Sequence, residues 1–119
     1  MRKEYDLEER LLTYAVTIIE IVERLPKTKA GTHIAGQLLK SGTSPLSNHG
    51  EAQSAESPKD FVHKMRICLK ELRESLRWLR LIRRAPSLKL GSEVDPVLKE
   101  TDELIRIFVK SVQTAEGRR

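Results

Sequence analysis

Between Ser57-Pro58 and Pro86 the chain runs for 27 residues, Lys59 to Ala85, without a glycine or a proline. A stretch that long, rich in Leu, Arg, Lys and Glu, is specified as one helix of about 40 Å. Ser57 can cap it, Pro58 suits its first position, and Asp60 sits near the positive end of the helix dipole. Pro86 stops it near Ala85. A rod of this length must bury one side against other elements, so its faces govern the rest of the fold.

Placed at about 100° per residue, the segment separates into three faces. Phe61, Met65, Cys68, Leu69, Leu72, Leu76 and Leu79 form a core arc. Beside it lie Lys59, Arg66, Lys70, Arg73, Arg77, Arg80 and Arg84, stepping by three or four residues after the first. The remaining side carries Asp60, Ile67, Glu71, Glu74, Trp78 and Ile82, a mixture too apolar for an ordinary solvated surface. Trp78 is expected to be largely buried, against a neighbouring helix or another subunit.

Three further segments have helical period. From Leu7 to Leu25, Leu7, Leu11, Leu12, Ala15, Ile18, Ile19 and Val22 recur at three- and four-residue steps, with Asp6 as a candidate cap and Pro26 as a stop. From Thr28 to Gln53 the apolar spacing of Ile34, Leu38, Leu39 and Leu46 competes with Gly31, Gly36, Gly42, Pro45 and Gly50. Local rules permit either a break at Gly42 with Ser44 capping a new helix, or one helix kinked at Pro45. The last segment has Ser92 as a candidate cap with Asp95 three later. Val94, Val97, Leu98, Leu104, Ile105, Phe108, Val109 and Val112 share one face, and Gly117-Arg118-Arg119 forms a tail. With short outer connections, residues 1–119 are expected to make one up-and-down antiparallel four-helix bundle.

Charge is unevenly placed. The chain carries a formal +5, and residues 58–86 alone hold nine basic side chains against three acidic. Glu71 and Glu74 lie off the basic stripe, so neutralisation within the helix fails, although acids of the first and last helices could pair across the bundle. The stripe points to an anionic partner, and an aromatic fraction of 4% argues for phosphate contacts over base stacking.

Other chemistries find no support. The start of the chain lacks a signal-peptide pattern and no segment has the length and apolarity of a membrane span, so the expectation is a soluble, cytoplasmic protein with no membrane role. Cys68, the only cysteine, falls among apolar helical neighbours as a buried thiol. His33, His49 and His63 share no ligand spacing, Gly31-x-x-x-x-Gly36 lacks the following Lys-Ser/Thr of a phosphate loop, and no nucleophile, base and orienting group assemble. The expectation is a non-enzymatic chain without metal or cofactor.

The stretch Ser41-Gly42-Thr43-Ser44-Pro45-Leu46-Ser47-Asn48-His49-Gly50-Glu51-Ala52, then Ser57-Pro58-Lys59-Asp60-Phe61, and Lys70-Glu71-Leu72-Arg73-Glu74-Ser75-Leu76-Arg77-Trp78-Leu79 resemble a bacterial four-helix-bundle family. Its founding members are encoded in intervening sequences of 23S ribosomal RNA genes, and accessory variability proteins of diversity-generating retroelements look like a related branch. The family motif Ser-x-x-x-Asn-x-x-Glu matches Ser44, Asn48 and Glu51, while Pro45 and Gly50 depart from the commoner pattern. The resemblance implies a long second helix running through this motif and a homopentameric ring with a basic surface.

Ser44, Asn48 and Glu51 share one helix face, and with Glu71, Glu74 and Trp78 they are expected to form a polar cluster at a helix packing or subunit contact. The function expected is binding of structured RNA or an RNA–DNA hybrid through Lys59, Arg66, Lys70, Arg73, Arg77, Arg80 and Arg84, with little sequence reading. The alternative is a protein-interaction adaptor, for instance for a reverse transcriptase.

Overall fold

The computed structural model describes residues 3–117, with side chains from residue 7 onward. Four α-helices account for most of it: α1 (Lys3–Arg24), α2 (Lys29–Gln53), α3 (Pro58–Arg84) and α4 (Asp95–Ala115). Two short 3-10 turns, Pro86–Leu88 and Gly91–Val94, connect α3 to α4. Each helix packs chiefly on its sequence neighbours. Cross-helix partners run in opposite directions: His33 with Trp78 and Glu51 with Lys64 between α2 and α3, Arg66 with Glu116 and Arg83 with Asp95 between α3 and α4, Arg10 with Glu100 and Arg24 with Glu93 between α1 and α4. The result is an up-and-down bundle measuring 45 × 24 × 21 Å.

α3 begins as expected, with the Asp60 amide donating to Ser57 Oγ at 3.0 Å and Pro58 in the first turn. Its core seam is Met65, Cys68, Leu72, Ser75, Leu79 and Ile82, a run of alternating three- and four-residue steps. The core arc read from the sequence is therefore rotated: Leu69 and Leu76 are half-buried, while Ile82, assigned to the mixed face, is completely buried. α2 packs on that side and draws Ser75 and Ile82 inward.

α2 is continuous through Pro45, so the break at Gly42 does not occur and Ser44 caps nothing. Its cap is Thr28, whose Oγ1 accepts from the Gly31 amide at 3.0 Å. An interior proline forfeits one backbone hydrogen bond and costs roughly 3 kcal/mol. Burial of Pro45 in the bundle and a Cys68 Sγ contact to its carbonyl at 3.6 Å offset part of that. Two glycines of α2 are steric requirements. A Cβ on Gly31 would stand 1.9 Å from the Pro26 carbonyl oxygen, and one on Gly42 would stand 2.7 Å from Ile18 Cγ1.

Two helix starts differ from expectation. α1 begins at Lys3, which places Asp6 inside the helix rather than at its cap. α4 begins at Asp95 without a side-chain cap, because Ser92 lies in the preceding 3-10 turn. Burial of Leu90 and Val94 winds that turn onto the core before the α-helix starts at Asp95, with Pro96 in its first turn. At the far end Gly117 closes α4 at φ 78°, and Arg118-Arg119 lie outside the described residues.

The core contains a layer of hydroxyls, one from each helix. Ser41 and Ser75 Oγ are 2.8 Å apart, and Tyr14 Oη lies 2.7 Å from Thr101 Oγ1. Thr101 in turn donates to the Val97 carbonyl at 2.6 Å. Tyr14 also senses Ser75, and burial pushes its phenol up to about 12. A buried hydroxyl without a partner costs about 1–3 kcal/mol, so four hydroxyls satisfied at one level favour one helix register over slipped ones.

His49 is the other buried polar side chain, 2% exposed, edge-on to Phe108 and 3.3 Å from the Gln53 amide nitrogen. Burial lowers its pKa from 6.5, with Glu8 opposing weakly. Because the unfolded chain then binds the extra proton first, the neutral ring's contribution is complete above about pH 6.5 and is lost as pH falls below it. The melting temperature should drop between pH 7 and 5, and His49→Leu should flatten that dependence; parallel curves for the two proteins would assign the pH response elsewhere.

Candidate nucleic-acid interface

Lys59, Arg66, Lys70, Arg73, Arg77, Arg80 and Arg84 are all exposed on the outer face of α3. The seam that turns Met65 to Ile82 inward forces these positions outward, since they sit on the opposite side of the helix. Arg66 and the neighbouring Arg83 reach α4, whereas Lys64 and Trp78 reach α2. The stripe thus leans toward α4 and the Glu71/Glu74/Trp78 face leans toward α2. From Arg66 to Arg84 it extends about 27 Å.

What α4 offers the stripe decides its electrostatics. Glu100 and Glu103 are held by Arg10 of α1, Asp102 by Arg106 of its own helix, and Asp95 by Arg83. Among the described residues, only Arg66 of the seven is paired, with Glu116. Among the described residues no carboxylate lies within 4.0 Å of Lys59, Lys70, Arg73, Arg77, Arg80 or Arg84. The expected cross-bundle pairing therefore stops at one end of the stripe. Successive cations from Arg66 to Arg84 are three or four residues apart, and like charges at that spacing destabilise a helix by about 0.2–0.5 kcal/mol per pair. The face consequently carries on the order of 1–2 kcal/mol of self-repulsion, which a bound polyanion would relieve.

The six residues expected to cluster divide into smaller groups. Asn48 Nδ2 donates to Ser44 Oγ at 2.8 Å and to the Ser44 carbonyl at 3.1 Å, both within α2. Trp78 Nε1 donates to Glu74 Oε2 at 3.3 Å within α3. Glu51 accepts from Lys64 Nζ across the α2–α3 seam at 2.5 Å, and this partner raises the lysine pKa. Glu71 is half-buried with no hydrogen bond to the other five. Trp78 is largely buried, as expected, packed against the core with its ring 6.1 Å from that of His33. Ser44, Asn48, Ile67, Glu71, Glu74 and Trp78 are all partly open to solvent, and no hydrogen bond joins Ser44 or Asn48 to α3.

α1 presents a second surface that spacing alone had placed in the core. Leu12 and Ile19, expected inside, are each 45% exposed, and Val16 between them is 47% exposed. The core instead takes Tyr14, Ile21 and Leu25 together with Leu7, Leu11, Ala15, Ile18 and Val22. Exposed Glu9, Glu20 and Glu23 flank the apolar stripe, and Leu39 of the adjoining α2 is 40% exposed.

The histidines do not converge: His33 lies against Trp78, His49 is buried and His63 is exposed. Cys68 is fully buried, and burial pushes its thiol up to about 12. Among the described residues no three His, Cys, Asp or Glu side chains group as metal ligands, and no helix is long and apolar enough to cross a membrane.

An antiparallel four-helix bundle with one long cationic helix face is the class of protein this structure defines. The chain belongs to the 23S rRNA-intervening sequence protein family, whose model matches residues 3–110. It is similar to the crystal structure of a protein of unknown function from the S23 ribosomal protein family of Bacteroides thetaiotaomicron. That similarity has a TM-score of 0.84 at 27% identity and covers 94% of this chain and 99% of the other. Comparison with curated proteins gives no match.

Proposed function

We propose that the chain is a non-enzymatic nucleic-acid-binding protein that holds phosphates along the α3 stripe, with RNA or an RNA–DNA hybrid as the ligand. The observation that carries this reading is the run Lys70, Arg73, Arg77, Arg80 and Arg84, exposed and, among the described residues, without a carboxylate partner. Exposed cations lose little hydration before contact, so a polyanion replaces mutual repulsion by attraction and releases counterions. Among the described Phe, Tyr and Trp side chains, Tyr14 and Phe108 are buried and Phe61 and Trp78 partly buried, so none is fully exposed as a stacking platform for bases. The family's description, tied to 23S rRNA, is the reason to prefer RNA over other polyanions. Anisotropy titration of labelled RNA over a salt series tests the reading. Five contacts should give a log–log slope of roughly −3.5 to −4.5, and salt-independent binding would overturn it.

The α1 stripe supports a second element of the proposal, that the working form is a homo-oligomer. Leu12, Val16 and Ile19 form the kind of contiguous apolar surface that a subunit contact covers. A pentamer is the stoichiometry implied by the family resemblance. A solution mass of one chain by light scattering would remove this element. The adaptor alternative uses the same α3 arginines to dock an acidic or RNA-laden protein, such as a reverse transcriptase; a co-purifying polypeptide with weak RNA affinity of the isolated chain would favour it.

A further inference from the structure

We infer that the nucleic-acid path does not end with α3 but turns over the adjacent end of the bundle, onto Lys27, Lys29 and Lys89, so that the preferred ligand is a flexible RNA strand rather than a continuous duplex. This extension assumes phosphate binding by the α3 stripe and narrows its ligand from RNA or a hybrid duplex to single-stranded RNA.

Three helix ends and the α3–α4 connection meet there. α1 stops at Arg24, α2 starts at Lys29, α3 stops at Arg84, and the connection packs on α3 and reaches α1 through Glu93 and Arg24, with its Leu88, Leu90 and Val94 buried. The carboxylates of the connection and of the first residue of α4 are already used: Glu93 pairs with Arg24 and Asp95 with Arg83. Lys27, Lys29 and Lys89 are exposed, and among the described residues none has a carboxylate within 4.0 Å. They continue the unpaired charge of Arg80 and Arg84 from a surface along the 45 Å axis to one 24 by 21 Å across it.

Lys89 supplies an independent observation. It sits between buried Leu88 and Leu90 at φ 65°, the one described non-glycine residue with positive φ. The left-handed conformation is unfavourable for a residue with a Cβ, and glycine would relieve it. A strained lysine facing water, where glycine would serve the turn better, marks a side chain with a use outside the fold.

The two surfaces meet roughly at a right angle within the width of one bundle. A duplex is stiff over hundreds of ångströms and lies along one of them. A single strand can follow both.

The test compares wild type with a Lys27→Gln/Lys29→Gln/Lys89→Gly variant on a labelled oligouridine and on a blunt RNA duplex of equal length, each over a salt series. For oligouridine the slope should fall in magnitude by about 2, at about 0.7 per lost contact, with affinity down by at least about tenfold. The duplex should be unaffected. Melting temperature should not fall, because Lys89→Gly removes strain while removing a contact. Equal losses on both ligands would overturn the turning path, and no loss on oligouridine would overturn the end surface. If an Arg73→Glu/Arg77→Glu/Arg80→Glu variant also binds normally, the failure lies with the stripe itself.

Discussion

Arg73→Glu/Arg77→Glu/Arg80→Glu should bind RNA at least about 100-fold more weakly at ~0.1 M salt than wild type, because three contacts are lost and three repulsions added. The three side chains are exposed and have no carboxylate partner among the described residues, so no ion pair among those residues is broken. The reversed charges also face Lys70 and Arg84 at helical spacing, and replace repulsions by attractions of about 0.2–0.5 kcal/mol each. Circular dichroism should therefore show an unchanged or slightly higher melting temperature beside the lost affinity. A folded triple variant with wild-type affinity would remove the stripe from the function. A destabilised one would assign these arginines a structural role in the bundle.

The second large effect concerns the fold. Gly42→Leu should destabilise the bundle by about 3 kcal/mol or more, since overpacking usually costs about 1–3 kcal/mol and here even the first added atom has no room. The Cβ alone would stand 2.7 and 2.8 Å from the two γ-carbons of Ile18 and 3.1 Å from its Cβ. Ile18 is fully buried and cannot swing into solvent. The signature is coupling: Gly42→Leu combined with Ile18→Ala should be more stable than the sum of the two single losses predicts, as contacting sites are non-additive. Chemical denaturation of the four proteins measures it, and strict additivity would mean that α1 and α2 do not meet at this point.

The architecture was legible because each helix carries its own pattern and because proline marks two of the ends, at Pro26 and Pro86. Ser57 worked as a cap while Ser92 did not, although both have an aspartate three residues on. The difference is tertiary: buried Leu90 and Val94 tighten the second site into a 3-10 turn. α1 offers two apolar stripes at helical spacing, and nothing local says that Leu11 and Ile18 meet the core while Leu12 and Ile19 meet water. Gly42 reads as a helix breaker along the chain and becomes a point of close approach only when α1 is beside it. The cationic stripe was visible as a pattern, since helical geometry alone gathers its members. Its lack of partners was not, because this depends on Arg10, Arg106 and Arg83 taking the acids of α4. Lys89 is far in sequence from Lys27 and Lys29 and joins them only at the end of the bundle.

The thiol of Cys68 turns the bundle into its own clock. It is the only sulfhydryl in the chain, fully buried against α2, with its pKa pushed up to about 12. An alkylating reagent reacts with thiolate it can reach, so modification waits for α2 and α3 to part. At fixed reagent concentration and pH, the labelling half-time reports how often this seam opens. RNA that clamps α3, or a subunit that covers α1, can then be ranked by how far each slows one covalent reaction at one atom.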